Sequence, residues 1–248
     1  MISGWTEGEF LKLSERFQHK ICAQLLHKFH TDALPHDLVL YRKTESWLNL
    51  PPLDISSFPL LADRYHYHLK KAHLDLKEYN LLTDPIHKVD TPSSTPYLPL
   101  CIYLDKLRSA FNVGSILRTT EAFRLGSLYF SPETPFIDNP KVQKTSMWTY
   151  DKVPAFQQPC NTLPRPWIAL ETVPSAPSLF TFCFPPVFTL FLGNEEYGLS
   201  KERIDECDAT VQIPLYGFKN SLNVASAYAI AAAVISDQLR KAAIQERA

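Results

Sequence analysis

Polar side chains follow three apolar runs in the second half of this 248-residue sequence. Asn112 and Arg118 lie in DKLRSAFNVGSILRTTEAFR, directly after the run LPLCIYL. Glu195 lies in LGNEEYGLS after the run VFTLFL, and Ser221 and Asn223 lie in IPLYGFKNSLNVASA. Ligands of open α/β sheets bind beyond the carboxyl ends of the strands. We therefore expect these amide, carboxylate, hydroxyl and guanidinium groups to meet at one edge of a sheet.

The residues that are missing limit the chemistry of this set. All eight histidines precede residue 90, so histidine-based acid–base chemistry is excluded from the second half. The sequence has no GxGxxG after a strand, no GxxxxGK[ST], no HExxH and no GxSxG. The five cysteines are scattered without a CxxC pair, which predicts reduced thiols and no metal site. Arg118 is suited to hold a phosphate through its fork of donors, and it is a poor proton acceptor.

Each polar residue also has a purely structural interpretation. Asn112, Ser221 or Asn223 can serve only as the N-cap of a helix, and LGNEEYGLS can be an ordinary turn before a helix that Ser200 caps. Arg118 is harder to explain in this way. We place it early in a helix over 112–125, where a cation opposes the helix dipole.

Apolar runs alternate with helical patterns in this half, which predicts an α/β fold with a parallel sheet covered by helices. We predict helices over 112–125, with Asn112 as N-cap and Gly126 just beyond the end, over 200–206 and over 222–242. The predicted strands are Leu98–Leu104, Ser127–Phe130, Trp167–Leu170, Val187–Leu192 and Thr210–Ile213.

A proline-rich stretch, DTPSSTPYLP at 90–99, predicts a linker and two domains, 1–95 and 96–248. The first domain is expected to be mainly helical. Thr6 begins a capping box, apolar residues from Phe10 to Phe29 recur at helical spacing, and a second helix is predicted from Leu61 to Asn80. The segment 64–73, RYHYHLKKAH, mixes aromatic and basic residues as RNA-binding surfaces do, but we favour its interpretation as a solvated helical face over a core stripe.

Composition bounds the class of protein. The 25 basic and 26 acidic residues give a net charge of −1, so any affinity for nucleic acid must come from a local patch. No run of about 18 apolar residues is present, which predicts no membrane span. The segment MISGWTEGEF lacks the order of a signal peptide, and we expect a cytoplasmic protein.

Taken together, NVGSILRT, LGNEEYGLS and IPLYGFKNSLNVASAYAIA resemble motifs 1, 2 and 3 of the SpoU (TrmH-like) RNA 2′-O-methyltransferases of the SPOUT superfamily. The resemblance covers roughly residues 97–242 and does not extend to 1–95. It implies a parallel-sheet SPOUT domain with a C-terminal trefoil knot, S-adenosylmethionine bound in that knot, and a homodimer. KVQKTSMW at 141–148 departs from the family, because Trp148 replaces an expected small-residue turn.

The resemblance also implies roles for individual residues. Asn112 and Arg118 match the polar pair of motif 1, with Arg118 as the catalytic arginine, and Glu195 matches the acidic residue of motif 2. Ser221 and Asn223 match the pair of motif 3. The implied cofactor walls, largely of backbone groups, are Leu192, Gly193, Asn194, Ile213, Leu215, Leu222 and Asn223.

We therefore predict an enzyme that moves a methyl group from S-adenosylmethionine to a ribose 2′-hydroxyl of structured RNA, either tRNA or rRNA. Two other classes stay open: a non-catalytic RNA-binding or assembly protein on the same knotted fold, and a small-molecule-binding α/β protein unrelated to RNA. The retention of Arg118, Glu195, Ser221 and Asn223 together argues against the first.

The last helix has apolar residues on several sides, which predicts a homodimer with Tyr228 as an interface anchor.

Overall fold

The computed structural model describes residues 5–32, 34–75, 82, 91 and 93–245. The chain divides into an N-terminal unit, Met1–Pro92, and a C-terminal unit, Ser93–Ala248. This division lies close to the boundary predicted at 95/96. The N-terminal unit contains the helices α1 (Glu7–Leu11), α2 (Glu15–Asp32), α3 (Pro35–Trp47) and α4 (Phe58–Lys71).

The apolar pattern from Phe10 to Phe29 belongs to two helices, so the prediction of one continuous helix is wrong. Thr6 and Glu9 form the expected capping box of α1. The chain then breaks, and the side-chain amide of Gln18 donates hydrogen bonds to the carbonyls of Phe10, Leu11 and Leu13. The break changes the phase of the stripe, and Phe17 is consequently 45% exposed.

Helix α4 supplies a buried polar network to the N-terminal unit. Its His68 is fully buried, with Nδ1 2.8 Å from Nδ1 of His19 and Nε2 3.2 Å from the hydroxyl of Tyr41. Arg64 donates to that hydroxyl and, at 3.0 Å, to the carboxylate of Glu45. The segment 64–73 therefore supports the core of this unit instead of forming one exposed basic and aromatic surface. The helix predicted from Leu61 to Asn80 ends early, because α4 stops at Lys71 and His73 has φ of 50°. Residues 76–80 lie outside the described residues.

The C-terminal unit is built on a six-stranded parallel sheet with the order β3-β2-β1-β5-β4-β6. The order reverses between β1 and β5, which places a crevice at the carboxyl ends of these neighbouring strands. The strands are β1 (Leu100–Leu104), β2 (Gly126–Phe130), β3 (Ala155–Gln157), β4 (Trp167–Leu170), β5 (Thr189–Leu192) and β6 (Ala209–Val211), and the helices are α5 (Ala110–Phe123), α6 (Pro140–Thr145), α7 (Lys201–Glu206) and α8 (Val224–Gln245).

Helix α5 begins and ends at residues other than those predicted. Its N-cap is Ser109, whose hydroxyl accepts a hydrogen bond from the N–H of Asn112. It ends at Arg124, which adopts the left-handed conformation with φ of 50°. Asn112 is therefore in the first turn, and Gly126 begins β2 instead of capping the helix. Arg118 lies in the middle of α5, so the argument that it opposes the helix dipole is wrong.

Helix α8 packs against α5 within one chain. The ring of Tyr228 is fully buried between them, and its hydroxyl lies 2.7 Å from that of Thr120. Further along α8, the guanidinium of Arg240 donates to the carbonyls of Phe123 and Arg124 at the end of α5. Tyr228 is thus a core residue, and the prediction that it anchors a dimer interface is wrong. The apolar residues on several sides of α8 serve this internal packing.

Membrane insertion finds no support in the described ranges, where every helix is too short or too polar to cross a bilayer.

Acid should destabilise the N-terminal unit through His68. Burial lowers the pKa of His68 to about 3, and burial also lowers the pKa of His19. The pKa of a histidine in the unfolded chain is near 6.5. The buried neutral His68 therefore contributes its full stabilisation above that pH, and this contribution is lost as the pH falls from about 6.5 towards 3. The free energy of unfolding should drop by up to about 1.4 kcal/mol per pH unit for this proton.

Urea unfolding of the wild type and of His68→Gln between pH 7.5 and pH 4.5 measures this effect. The variant should be less stable at pH 7.5 and should show a shallower loss on acidification. His36 is exposed on α3, and His36→Gln is the matched control, which should keep the wild-type slope. An unchanged slope in His68→Gln would contradict the assignment.

Candidate functional site

The polar segments singled out in the sequence meet in a cleft of about 750 Å³ at the carboxyl ends of four adjacent strands, β1, β5, β4 and β6. Four of the five predicted catalytic residues line it: Asn112, Glu195, Ser221 and Asn223. All seven residues of the predicted cofactor walls also line it: Leu192, Gly193, Asn194, Ile213, Leu215, Leu222 and Asn223. The three segments therefore share one site.

One chain of hydrogen bonds joins the three segments. The amide nitrogen of Asn112 donates to Glu195 at 2.9 Å, and its amide oxygen accepts from the amide of Asn223 at 3.0 Å. The oxygen of Asn223 in turn accepts from the N–H groups of Ala225 and Ser226, and so caps α8. Asn223 therefore has the capping function that the structural interpretation predicted, whereas the N-cap of α5 is Ser109 and the side chain of Asn112 caps no helix. Both asparagines position the cleft.

Glu195 lies at the N-terminal end of the other helix at this site. Its carboxylate accepts hydrogen bonds from the N–H groups of Arg108 and Ser109, at 2.9 and 3.0 Å, at the start of α5. Burial raises the pKa of this carboxyl, but hydrogen bonds from the Arg108 N–H, the Asn112 amide and the Ser109 N–H outweigh burial and lower it below its usual value. Glu195 is therefore ionised at neutral pH, and the positive end of the α5 dipole stabilises its charge.

The loop after β5 closes on itself in a conformation that needs glycine. Asn194 and Gly198 exchange two backbone hydrogen bonds, of 3.0 and 2.8 Å. A Cβ atom at Gly193 would collide with the backbone of Gly198 and Leu199, and Gly198 has φ of +69°. This closed loop directs Glu195 towards α5.

Glu171 supports the same loop, and sequence reasoning missed it. Its carboxylate accepts a hydrogen bond of 2.6 Å from the N–H of Leu199 and packs against Gly198. The pattern that identified the other segments applies here as well, because Glu171 directly follows the predicted strand Trp167–Leu170. Further lining residues not predicted are Arg108, Ser109, Thr172, Glu196, Tyr197 and Asn220.

Arg118 does not belong to the lining of this cleft within the described part of the chain. It lies on α5 six residues beyond Asn112, a distance of about 9 Å along the helix axis. Its side chain is exposed at the surface of the unit. The structure therefore brings together four of the five predicted catalytic residues and separates the fifth from them.

A second polar contact fixes the neighbouring end of β1. Ser200 caps α7 as predicted, accepting a hydrogen bond from the N–H of Arg203. The guanidinium of Arg203 pairs with Asp105, which directly follows β1, at 3.4 Å. This pair ties α7 to the loop that leads into α5. In the described residues, no group of three or more His, Cys, Asp and Glu side chains is placed to hold a metal.

Comparison with known proteins gives consistent matches to the C-terminal unit. A model of the SpoU rRNA Methylase family matches residues 99–233. The 23S rRNA (uridine(2479)-2′-O)-methyltransferase of Streptomyces viridochromogenes is 28% identical over 154 residues, which are 57% of this chain and 53% of that protein. The chain spans about half the length of the curated relatives it matches.

Solved structures match the same part of the chain. The SpoU methyltransferase AviRb from Streptomyces viridochromogenes is 25% identical with a TM-score of 0.53, and the match covers 60% of this chain and 63% of that one. Its complex with the cofactor AdoMet is 26% identical with a TM-score of 0.50, over 60% and 62% of the two chains. A structure described as giving insights into 2-OH methylation of C/U34 on tRNA is 25% identical with a TM-score of 0.52, over 57% of this chain and 97% of that one.

The likeness extends from sequence to fold, because the six-stranded parallel sheet lies inside the matched region. The family model covers more than half of the residues, and all three motif segments lie within it. The chain belongs to the SpoU rRNA methylase family.

Proposed function

We propose that this chain transfers a methyl group from S-adenosylmethionine to a ribose 2′-hydroxyl of RNA, with tRNA or rRNA as substrate. The observation that carries the proposal is the hydrogen-bond chain from Glu195 through Asn112 to Asn223, which unites the three motif segments around one cleft. Membership of the SpoU family and the names of the relatives support the reaction class.

The cleft suits S-adenosylmethionine in size and in charge. Its volume lies within the usual 300–1,000 Å³ of small-molecule sites. Carboxylates at Glu171, Glu195 and Glu196 outnumber the single guanidinium of Arg108 in the lining, which favours a ligand that bears a positive sulfonium and an ammonium group. Apolar walls suited to an adenine ring come from Leu192, Ile213, Leu215 and Leu222.

The protein's own task is positioning. S-adenosylmethionine, when bound, supplies a methyl group already activated by the sulfonium. Holding the acceptor hydroxyl in line can then contribute roughly 7–11 kcal/mol towards the reaction. Glu195 is a poor general base, because its lowered pKa and three hydrogen bonds keep it ionised and engaged. We assign it, with Asn112 and Asn223, to shaping the site, and Ser221 to orienting the ribose or the cofactor.

The proposal includes the C-terminal trefoil knot of the resemblance. The segment after β6 lies against the β4–β5 connection, where the backbone of Gln212 bonds to Pro177 and Leu179 at 3.0 and 2.8 Å. Its side chain donates to the carbonyl of Ala176 at 2.7 Å. From there the chain continues into α8 beside α5. These contacts support a path in which the segment passes through the β4–β5 loop.

We further propose a homodimer in which Arg118 acts in the cleft of a second copy. Arg118 is exposed on α5 and lies outside the lining of its own cleft, so a catalytic role requires RNA or a second chain to bring the two together. Its guanidinium would bind the phosphate beside the acceptor ribose. Residues 1–95 lie outside the family match, and we assign them to recognition of the RNA substrate in the cytoplasm.

Methyl transfer is tested with tritiated S-adenosylmethionine and separate tRNA and rRNA fractions. We expect label in RNA and none in DNA of the same sequence, because DNA lacks the 2′-hydroxyl. After alkaline hydrolysis the label should remain in dinucleotides, since a methylated 2′-oxygen no longer attacks the neighbouring phosphate. Binding of S-adenosylmethionine by calorimetry without label in any RNA would instead support the non-catalytic alternative.

Asn112→Asp should open the cleft. The change removes the donor to Glu195 and places two carboxylates together. We therefore expect the binding free energy of S-adenosylmethionine to weaken by about 1.5–3 kcal/mol, which is at least tenfold in affinity. Asn220→Asp is the matched control, because it adds the same charge to the same cleft outside the hydrogen-bond chain. Calorimetry and thermal unfolding measure both variants. Equal losses in the two would show that charge alone matters.

Arg118→Ala should retain the fold and the affinity for S-adenosylmethionine. Its turnover should fall as if the activation free energy were raised by about 2.7–4 kcal/mol, the effect of removing a preorganised donor. Arg118→Lys should recover little, because an ammonium lacks the planar fork. Single-turnover methylation beside cofactor titration measures this. Near wild-type turnover in folded Arg118→Ala would end the catalytic assignment.

Co-expression of Arg118→Ala with Asn112→Asp tests where Arg118 acts. If it acts in the partner's cleft, randomly paired dimers should recover about a quarter of wild-type turnover, since half are mixed and each mixed dimer has one complete site. Absence of recovery would contradict the assignment of Arg118 to the cleft of the partner.

A further inference from the structure

Two aromatic side chains beside the cleft are completely exposed. Tyr216 and Phe218 have relative exposures of 97% and 101%. They flank Gly217 in the segment between β6 and α8. Leu215 on one side and Asn220 on the other line the cleft, so the segment that carries both rings borders the cleft.

The fold gains nothing from these rings. An aromatic side chain contributes to stability by burying 150–250 Å², and here that area is left in water. Among the other described aromatic residues of the C-terminal unit, the most exposed are Trp148 and Phe180, at 62% and 59%, so each of these keeps part of its surface covered. Two fully exposed rings two residues apart therefore indicate a binding function for this segment.

We propose that Tyr216 and Phe218 stack on unpaired bases of the RNA next to the acceptor ribose, an inference that rests on the proposed function. Their Cα atoms are at most about 7 Å apart, so the rings can serve neighbouring nucleotides of one strand. Aromatic side chains bind splayed-out bases of single-stranded loops in this way, whereas bases inside a duplex are already stacked. The substrate is accordingly an unpaired nucleotide in a loop, a bulge or an end.

The surrounding residues favour RNA over a protein partner. Gly217, Lys219, Asn220 and Ser221 separate or follow the rings, so the segment alternates aromatic and polar residues and forms no continuous apolar patch. Lys219 can pair with a phosphate, while three of the four charged residues that line the cleft beside it are carboxylates that suit the cofactor. Stacking is tolerant of base identity, so these rings select unpaired structure more than sequence.

The test is the affinity of the full chain for a fluorescein-labelled single-stranded RNA oligonucleotide and for the same sequence in a duplex. Tyr216→Ala and Phe218→Ala should each weaken single-strand binding by about 5- to 150-fold and leave duplex binding unchanged. Tyr216→Phe and Phe218→Tyr should restore it, because each keeps a ring. Phe180→Ala is the matched control, since Phe180 is 59% exposed and lies outside the cleft.

Two measurements on the same samples separate the alternatives. The affinity for S-adenosylmethionine should be unchanged in the alanine variants. If the wild type binds RNA through the rings but does not bind S-adenosylmethionine, the proposal of methyl transfer is rejected and the proposal of stacking is retained. In sedimentation the alanine variants should have the same oligomeric state as the wild type. Dissociation of the alanine variants with unaltered RNA affinity would overturn the proposal, because a second copy would then cover the rings. Unaltered RNA affinity without dissociation would overturn it equally.

Discussion

The site depends on one amide, that of Asn112. Its nitrogen donates to Glu195, 83 residues away, and its oxygen accepts from Asn223, 111 residues away. Only a side chain of this length that carries both a donor and an acceptor can bind both partners, since a carboxylate of the same length lacks the donor. Asn223 caps α8, and Glu195 accepts hydrogen bonds from the backbone just before α5, so the same three residues that join the motif segments also fix the starts of two helices. Stability and the shape of the cleft are therefore coupled.

The sheet explains why so short a chain of contacts suffices. Strands β1, β5, β4 and β6 are adjacent and parallel, so their following loops all emerge at one edge. Contacts then fix the loops after β1, β4 and β5: Arg203 pairs with Asp105 after β1, and Glu171 binds Leu199 between the loops of β4 and β5. The side chains in the cleft need only small adjustments to meet, which favours a site prepared before its ligand binds.

The sequence predicted what depends on burial and left out what depends on neighbours. Strand β4 was predicted with its observed bounds because all four residues are buried and apolar. Strand β3 was missed, since it has three residues and two of them are exposed. The cap of α5 was misplaced because Ser109 and Asn112 are both good caps, and only the position of Glu195 decides between them. Tyr228 was misjudged for a similar reason: its partner Thr120 is distant in sequence.

Helix α5 is held at both ends by groups of opposite charge. Glu195 accepts hydrogen bonds from the N–H groups of Arg108 and Ser109, just before its first residue, and Arg240 binds its last carbonyls, so each charge complements the helix dipole. A helix fixed in this way sets a constant distance between the residues that it carries. The interval from Asn112 to Arg118 is measured in backbone turns and is independent of side-chain packing on the exposed face. One residue inserted between them would rotate Arg118 by about 100° and lengthen the interval by about 1.5 Å. The other residues on the exposed face of α5 can therefore vary in type, but the number of residues between Asn112 and Arg118 cannot.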